Sequence, residues 1–561
     1  MQLYKMNKSK LLPRLMLLAL SIGIFIQAEA QKPNQKPAQK PAASSATTKT
    51  KTTNKKTELP PQAQPYVKKF DASQVGRDKG SYAIKVKLKG FKNVPIYLAD
   101  NFGDKQYLRD TCMLDANGVG TFVGNPKLQR GMYMIVFPQM QAFYELPITA
   151  DQEFYFEADT NADETTVKVV GSVENEAFVE YQRVRAINGK TRYFLDQDMK
   201  NAKASNNDSL YKSLRTQRDT LDAQDIRFRE SFVTKNPTHF ITKLFKAFQS
   251  IKIPQNPNPK DSMYDYRYFR DHYWDNVDFN ESGLIRAPQG LLAAKLNEYI
   301  DKVSFQDPDS LVNAVDIAIG KTVPYTETQK YFVQYLTNKF QDRKIMCQDN
   351  VTIHLINKYY CQNEAWWYDD TAGKRKMCEE AKKAVPTLCG KTAPDLNMAD
   401  TAGKMHRLYE NLGRFTILFF YDPTCGHCKE VIPVVNRVFL EHKKNGIKVY
   451  AVSTENQYDE WRKMMRSKPE LQGWINVCRV DRYAPWPYYK QDYNIVANPT
   501  IFILDENGRI IGKKIHEDQL EFFIESLLYE KGIITTKPTP PVEKKEDKAE
   551  SSASEEVPST Y

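Results

Sequence analysis

Ile417-Leu-Phe-Phe-Tyr-Asp-Pro-Thr-Cys425-Gly426-His427-Cys428-Lys429 is the stretch on which the fold turns. An apolar run ends at Asp422-Pro423, two cysteines follow two residues apart, and an amphipathic pattern starts at once with Val431, Ile432, Val434, Val435, Val438 and Phe439. The spacing predicts strand, turn and helix, with the dithiol on the first helical turn. Unpaired backbone N–H groups and the positive end of the helix dipole favour a thiolate there. A thiolate is the nucleophile of disulfide exchange, so the placement points to redox chemistry.

Alternating elements continue outward from this stretch. Ile447–Val452 reads as a buried strand, Tyr458–Arg466 as a helix and Trp474–Val480 as a strand. Thr500–Leu504 and Arg509–Lys513 flank the turn signal Asp505-Glu-Asn-Gly508, and Asp518–Tyr529 closes the series as a helix. A CxxC inside such a pattern reads as a redox motif.

The rest of the 561 residues is too long for one domain. A composition of 41% hydrophobic and 12% aromatic residues suits folded domains. The net charge of +11 is concentrated: residues 31–64 carry seven lysines and one glutamate. No basic helix or aromatic-interleaved basic strand remains to suggest a nucleic-acid partner. Lys5, Lys8, Lys10 and Arg14, the apolar run Leu15–Ile26 and Ala28-Glu29-Ala30 compose a secretory leader over residues 1–30, with cleavage before Gln31. The run is shorter than the roughly 20 residues a membrane span needs. The expectation is therefore a periplasmic or envelope protein with no transmembrane segment after cleavage, in a space where disulfides persist.

Residues 31–65 are Lys-, Pro- and Thr-rich and read as a disordered linker. Residues 66–172 show period two, as in Ile84, Val86 and Leu88 against Lys85, Lys87 and Lys89, with Gly/Asn/Asp turns between short runs. That predicts an antiparallel β-sandwich. Residues 173–384 turn helical, with Phe178, Tyr181, Val184 and Ile187 at spacings of three, and a charged pair of helices through Asp222–Arg229. Tyr264 to about Ala384 is dense in aromatics, read as core rather than as a ligand groove. His272 and His354 read as structural histidines. Residues 535–561 read as a disordered tail.

A zinc site would want paired CxxC or His/Cys spacing, and one CxxC alone argues against it. Lys429 stands where a covalent haem motif needs histidine, and the sequence implies no cofactor. Cys361, Cys378 and Cys389 are close enough to pair, but the connectivity is not readable from sequence.

Residues 385–534 resemble the TlpA/ResA-type branch of the thioredoxin superfamily, through Gly390–Lys404, the Cys-Gly-His-Cys helix, Pro433 and Ala497–Gly512. The resemblance implies a C-terminal α/β thioredoxin-like domain acting as a thiol-disulfide oxidoreductase. It assigns Cys425 as the attacking thiol, Cys428 as the resolving thiol, and Cys425–Cys428 as the redox disulfide. Gly426 and His427 lie between them, and Pro499 matches a cis-proline that presents Asn498 to a substrate strand. Implied partners are protein thiols or disulfides and a redox partner of the envelope. Gly90–Asp100, Asp115–Asn125 and Val169–Gln182 resemble a β-rich module of unknown function found before such domains, and Phe269–Pro288 resembles a helical one.

Some positions depart from the pattern. Thr424 replaces a common tryptophan, Phe419 a buried aspartate, and Val431 a glutamate, with Glu430 one position off. Asp422 stands where a peroxidase motif has threonine. An imidazole at His427 stabilises a thiolate and so makes the dithiol less reducing than thioredoxin. The other reading is a non-catalytic envelope binding or scaffold protein whose helical aromatic region is the working surface.

Overall fold

The structure is a computed structural model that describes residues 81–138, 142–159, 164–322, 327–342, 345–362, 367–368, 370–454, 458–478 and 489–540. The expected leader, the linker and the tail from 541 onward lie outside the described residues. The chain divides into two compact units, Met1–Ser304 with Ile317–Tyr331, and Phe305–Asp316 with Phe332–Tyr561. No helix among the described residues is long and apolar enough to cross a membrane.

The first unit holds β1 (Tyr82–Leu88), β2 (Pro95–Phe102), β3 (Lys105–Met113), β4 (Val119–Gly124), β5 (Gly131–Val136), β6 (Phe143–Ile148), β7 (Glu153–Ala158) and β8 (Lys168–Val170). They form two sheets, ordered β4-β1-β7-β8 and β3-β2-β5-β6. Ile84, Val86 and Phe156 of one sheet share a core with Ile96, Leu98 and Ile135 of the other. The expectation of purely antiparallel pairing needs correction. β1 and β7 run parallel, with Ile84 opposite Phe154 and Val86 opposite Phe156. All of β2 to β6 lies between them, so their connection is a long crossover and not a hairpin.

The helices that follow are α1 (Val173–Ala204), α2 (Asp208–Lys235), α3 (Phe240–Ala247), α4 (Tyr264–His272) and α5 (Leu291–Glu298). α1 and α2 form the expected charged hairpin. Asn207 caps α2 by accepting from the Leu210 amide. Its seam carries ion pairs beside an aromatic contact: Arg192 pairs with Asp222 at 2.9 Å and with Asp225, Arg218 with Asp196 at 3.1 Å and Asp222 at 2.6 Å, and Tyr181 packs on Phe228 and Phe232 with ring centroids 5.7 and 5.3 Å away. Tyr273, Trp274 and Tyr299 are buried against one another with ring centroids 5.0–5.4 Å apart, so these aromatics are core. His272 faces Asp275 at 2.6 Å. α6 (Pro308–Gly320) and α7 (Glu327–Asp342) give residues to both units.

In the second unit α8 (Asp349–Leu355) and α9 (Thr371–Ala384) precede a seven-stranded sheet. Disulfides join Cys347 to Cys389 and Cys361 to Cys378, which settles the connectivity the sequence left open. His354 and Lys358 both meet Asp316, at 2.9 and 3.1 Å. The Asn350 side chain grips Cys389, donating to its carbonyl (2.9 Å) and accepting from its amide (3.2 Å). The sheet and its helices are β9 (Asn397–Ala399), β10 (Met405–Arg407), β11 (Phe415–Tyr421), α10 (Gly426–His442), β12 (Ile447–Ser453), α11 (Tyr458–Ser467), β13 (Ile475–Cys478), α12 (Tyr489–Asp492), β14 (Thr500–Asp505), β15 (Ile510–Lys513) and α13 (Glu517–Glu530).

Strand order is β10-β9-β13-β12-β11-β14-β15, with β12 parallel and β14 antiparallel to the interior strand β11. Every residue of β11 is buried. Phe415, Ile417, Phe419 and Tyr421 enter the core that includes Val431, Val435, Leu520 and Ile524. Leu418 and Phe420 enter a second core on the other face with Tyr450, Val452 and Phe502. Burial on both faces explains the continuous apolar run in sequence.

Candidate active site

β11 stops at Tyr421, and the next four residues make the turn into α10. Asp422 accepts from the Thr424 amide and hydroxyl, each at 2.7 Å on Oδ1, and its carbonyl accepts from the Cys425 amide at 3.2 Å. Pro423 fits such a turn because its fixed φ presets the bend. Cys425 is the N-cap of α10, extended at φ −69°, ψ 127°, and its carbonyl accepts from the Lys429 amide. It is half-buried, whereas Cys428 one turn on is wholly buried. The two thiols therefore differ in access: one meets a partner, the other meets only its neighbour. The structure holds both as thiols, the reduced form of such a pair.

Burial pushes the Cys428 thiol up to about 12, with Cys425 and the Asp422 charge acting in the same sense. The Asp422 amide opposes this by donating to Cys428 Sγ at 3.4 Å. Cys428 thus rests protonated at neutral pH and must lose a proton before it can attack.

Beneath the dithiol, Phe419 is buried and stacks on Tyr421 at 5.3 Å, filling with carbon the place the family pattern gives to a carboxylate. Trp461 Nε1 donates to the Tyr421 hydroxyl at 2.9 Å. Val431 is buried, and Glu430 is exposed.

The peptide Asn498–Pro499 is cis, as the resemblance implied. β14 pairs Thr500 with Phe420, so Pro499 falls opposite Tyr421 at the edge where the cysteine turn leaves the sheet. Asn498 Nδ2 donates to Thr454 Oγ1 at 2.7 Å, and the Thr454 amide donates to the Tyr421 carbonyl at 2.8 Å. The proline loop and the end of β11 are tied through one threonine. Val496, two residues before Asn498, is 81% exposed and gives the loop an apolar tip.

His427 points to α13. Its Nε2 lies 3.1 Å from Glu517 Oε1. Burial works to raise the Glu517 carboxyl, but the His427 hydrogen bond, its own backbone and the nearby histidines hold it below the usual range. Gly426 has open space where a Cβ would stand, so glycine is not sterically required there.

Sequence reading missed Glu517, 90 residues from His427 with no local signal, and Thr454 at the end of β12. Among the described residues no His, Cys, Asp or Glu cluster could hold a metal ion.

Parts of the chain are similar to known proteins. Residues 389–513 match the AhpC/TSA family, and residues 217–384 match a domain of unknown function, DUF5106. The thiol-disulfide oxidoreductase ResA of Geobacillus kaustophilus (strain HTA426) is 28% identical over 146 residues, 25% of this chain and 77% of that protein. The thioredoxin-like protein YneN of Bacillus subtilis (strain 168) is 25% identical over 130 residues, 23% of this chain and 73% of that one. A solved domain described as a possible thiol-disulfide isomerase, from Cytophaga hutchinsonii, is 39% identical, with 27% of this chain and 97% of that one covered at a TM-score of 0.24. The C-terminal part of this chain is a thioredoxin-like domain of the AhpC/TSA family, with thiol-disulfide oxidoreductases among its homologues.

Proposed function

We propose that the chain, built around this AhpC/TSA-family domain, is an envelope thiol-disulfide oxidoreductase that exchanges disulfides with protein substrates through Cys425-Gly426-His427-Cys428. The observation that carries the reading is the unequal pair: a half-buried Cys425 at the cap of α10 and a wholly buried Cys428 one turn behind it.

The Cys425 thiolate attacks a substrate disulfide. The substrate S–S bond breaks, a mixed disulfide forms, and one substrate sulfur leaves as thiolate. Cys428 then loses its proton and attacks Cys425 Sγ. The mixed disulfide breaks, Cys425–Cys428 forms, and the second substrate thiolate leaves. The substrate gains two electrons, and the dithiol loses them. Run backwards, the same steps oxidise a substrate. Cys425 stands at the N-terminus of α10, beside the first backbone amides of that helix. The exposed Val496 tip beside Asn498-Pro499 offers an apolar seat for an extended polypeptide.

The leader-like start of the sequence supports delivery to the periplasm, where a redox partner would reset the dithiol. A Cys428→Ser variant tests the reading. It should accumulate a covalent, reductant-sensitive adduct with a disulfide-bonded protein, and Cys425→Ser should not. If neither variant traps an adduct and exchange activity is unchanged in both, the scaffold reading stands instead.

A further inference from the structure

We propose that the Asp422 carboxylate takes the proton from Cys428 as that thiol resolves the mixed disulfide. The assignment rests on the exchange reading above and names the base that the site otherwise lacks.

The groups around Cys428 leave few candidates. Phe419 and Val431, both buried hydrocarbon, occupy the two places where the family pattern has carboxylates. Glu430 is exposed on the outer side of α10. The Tyr421 hydroxyl already accepts from Trp461, and burial with the neighbouring thiols raises its own pKa, so it holds its proton. Cys425 is tied up in the mixed disulfide. Asp422 remains, and its backbone borders the thiol: the Asp422 amide donates to Cys428 Sγ at 3.4 Å, which sets the carboxylate one side-chain length from it. Its charge also bears on that thiol.

Three features suit Asp422 to the task. Thr424 fixes Oδ1 with two hydrogen bonds of 2.7 Å, which holds the carboxylate in one place. The residue is half-buried, so a proton it accepts has a way out to solvent. The amide of the same residue steadies the thiolate it creates. The proton passes from Cys428 Sγ to the carboxylate and leaves with the departing substrate thiolate or water. The electron pair released on sulfur makes the Cys425–Cys428 bond.

A chromogenic aromatic disulfide, dithiobis(nitrobenzoate), separates the two steps on the full-length reduced protein. Attack by Cys425 releases one nitrothiobenzoate, and attack by Cys428 releases the second. Asp422→Asn keeps an acceptor oxygen for Thr424 and so preserves the turn. Its first phase should stay within about twofold of the parent, and its second should slow about a hundredfold, the lower range for loss of a general base. The parent's acid limb in the second-phase pH profile should vanish in Asp422→Asn and return in Asp422→Glu. Thr424→Val, which keeps the carboxylate but frees it, should slow the second phase by a few-fold only. A second phase in Asp422→Asn as fast as in the parent at every pH overturns the assignment and leaves the exchange reading intact. A parent that releases only one nitrothiobenzoate per dithiol overturns the exchange reading itself.

Discussion

His427 Nε2 stands 3.1 Å from Glu517 Oε1, so the imidazole between the two cysteines is shared with the first turn of α13. The same helix pair carries a second link at Arg437–Glu521, 2.9 Å, and a longer one at His442–Glu525, 3.8 Å. Glu517, Glu521 and Glu525 are four residues apart and share one face of α13. The motif histidine is thus the end of a line of polar contacts between two helices and not an isolated substituent on the dithiol.

Glu517→Gln should cost no more than about 1 kcal/mol at neutral pH, because His427 is half exposed and solvent screens the pair. The Glu517 carboxyl is held below its usual range in the folded protein. Its contribution is therefore present above the unfolded glutamate value of about 4.3 and is lost as pH falls through the lower folded value. The Tm difference between parent and variant, followed from neutral pH down to about pH 3, should close on acidification. A gap that widens would overturn the pairing.

His427→Ala should make the dithiol more reducing. An imidazole near the Cys425 anion favours the reduced form, and its loss moves the potential from the isomerase-like range, about −180 mV, toward the thioredoxin value of about −270 mV. Equilibration against glutathione buffers measures it. An unchanged potential would mean that Glu517 keeps the imidazole from acting on the thiolate at all.

Burial raises the Cys428 pKa to about 12, above its unfolded value, so the neutral thiol is the favoured form in the folded state. That stabilisation is complete below the unfolded thiol value of about 8.5 and is lost as pH rises from there toward 12. Reduced parent protein should lose stability over this alkaline window more steeply than Cys428→Ala does. Parallel denaturation curves for the two would refute the shift.

The Cys347–Cys389 disulfide closes a separation of 42 residues. Chain entropy alone assigns such a loop about 4 kcal/mol. Asn350 already clamps the Cys389 backbone, and the buried Lys513 meets Asp349 and donates to the Thr387 carbonyl at 3.0 Å. The double replacement Cys347→Ser, Cys389→Ser should therefore cost about 2–4 kcal/mol by urea denaturation and leave the unit folded. Loss of folding on removing this one bond would show that the polar ties are too weak to hold the junction.

Tyr421→Phe should cost about 1–3 kcal/mol, since the buried Trp461 indole N–H would lose its acceptor. A thermal melt reads it directly, and a neutral result would place water at the indole.

Much of the second unit was legible because its signals are strong and local. β11 is an unbroken apolar run because both its faces are covered, and the cysteine pair and Asn498-Pro499 mark their own places. β3 escaped sequence reading for the opposite reason. Its residues Lys105-Gln-Tyr-Leu-Arg109 lie on an edge with exposed side chains, so no alternation of apolar and polar residues is imposed on them. The parallel partnership of β1 and β7 is a property of topology, and period two is the same in either direction. In the site, the chemistry-bearing cysteines were plain, whereas Thr454 and Glu517 arrive from other elements through tertiary packing.

Because β11 is paired on both edges inside the sheet and has a core against each face, its amides have no route to solvent short of opening the whole domain. Hydrogen exchange there should be governed by global unfolding. Cys428 belongs to the same core, so in the reduced protein an alkylating reagent reaches it only through that opening. The second cysteine is then a chemical clock for the domain: its slow labelling under native conditions counts unfolding events, while Cys425 reacts at the pace of an accessible thiol.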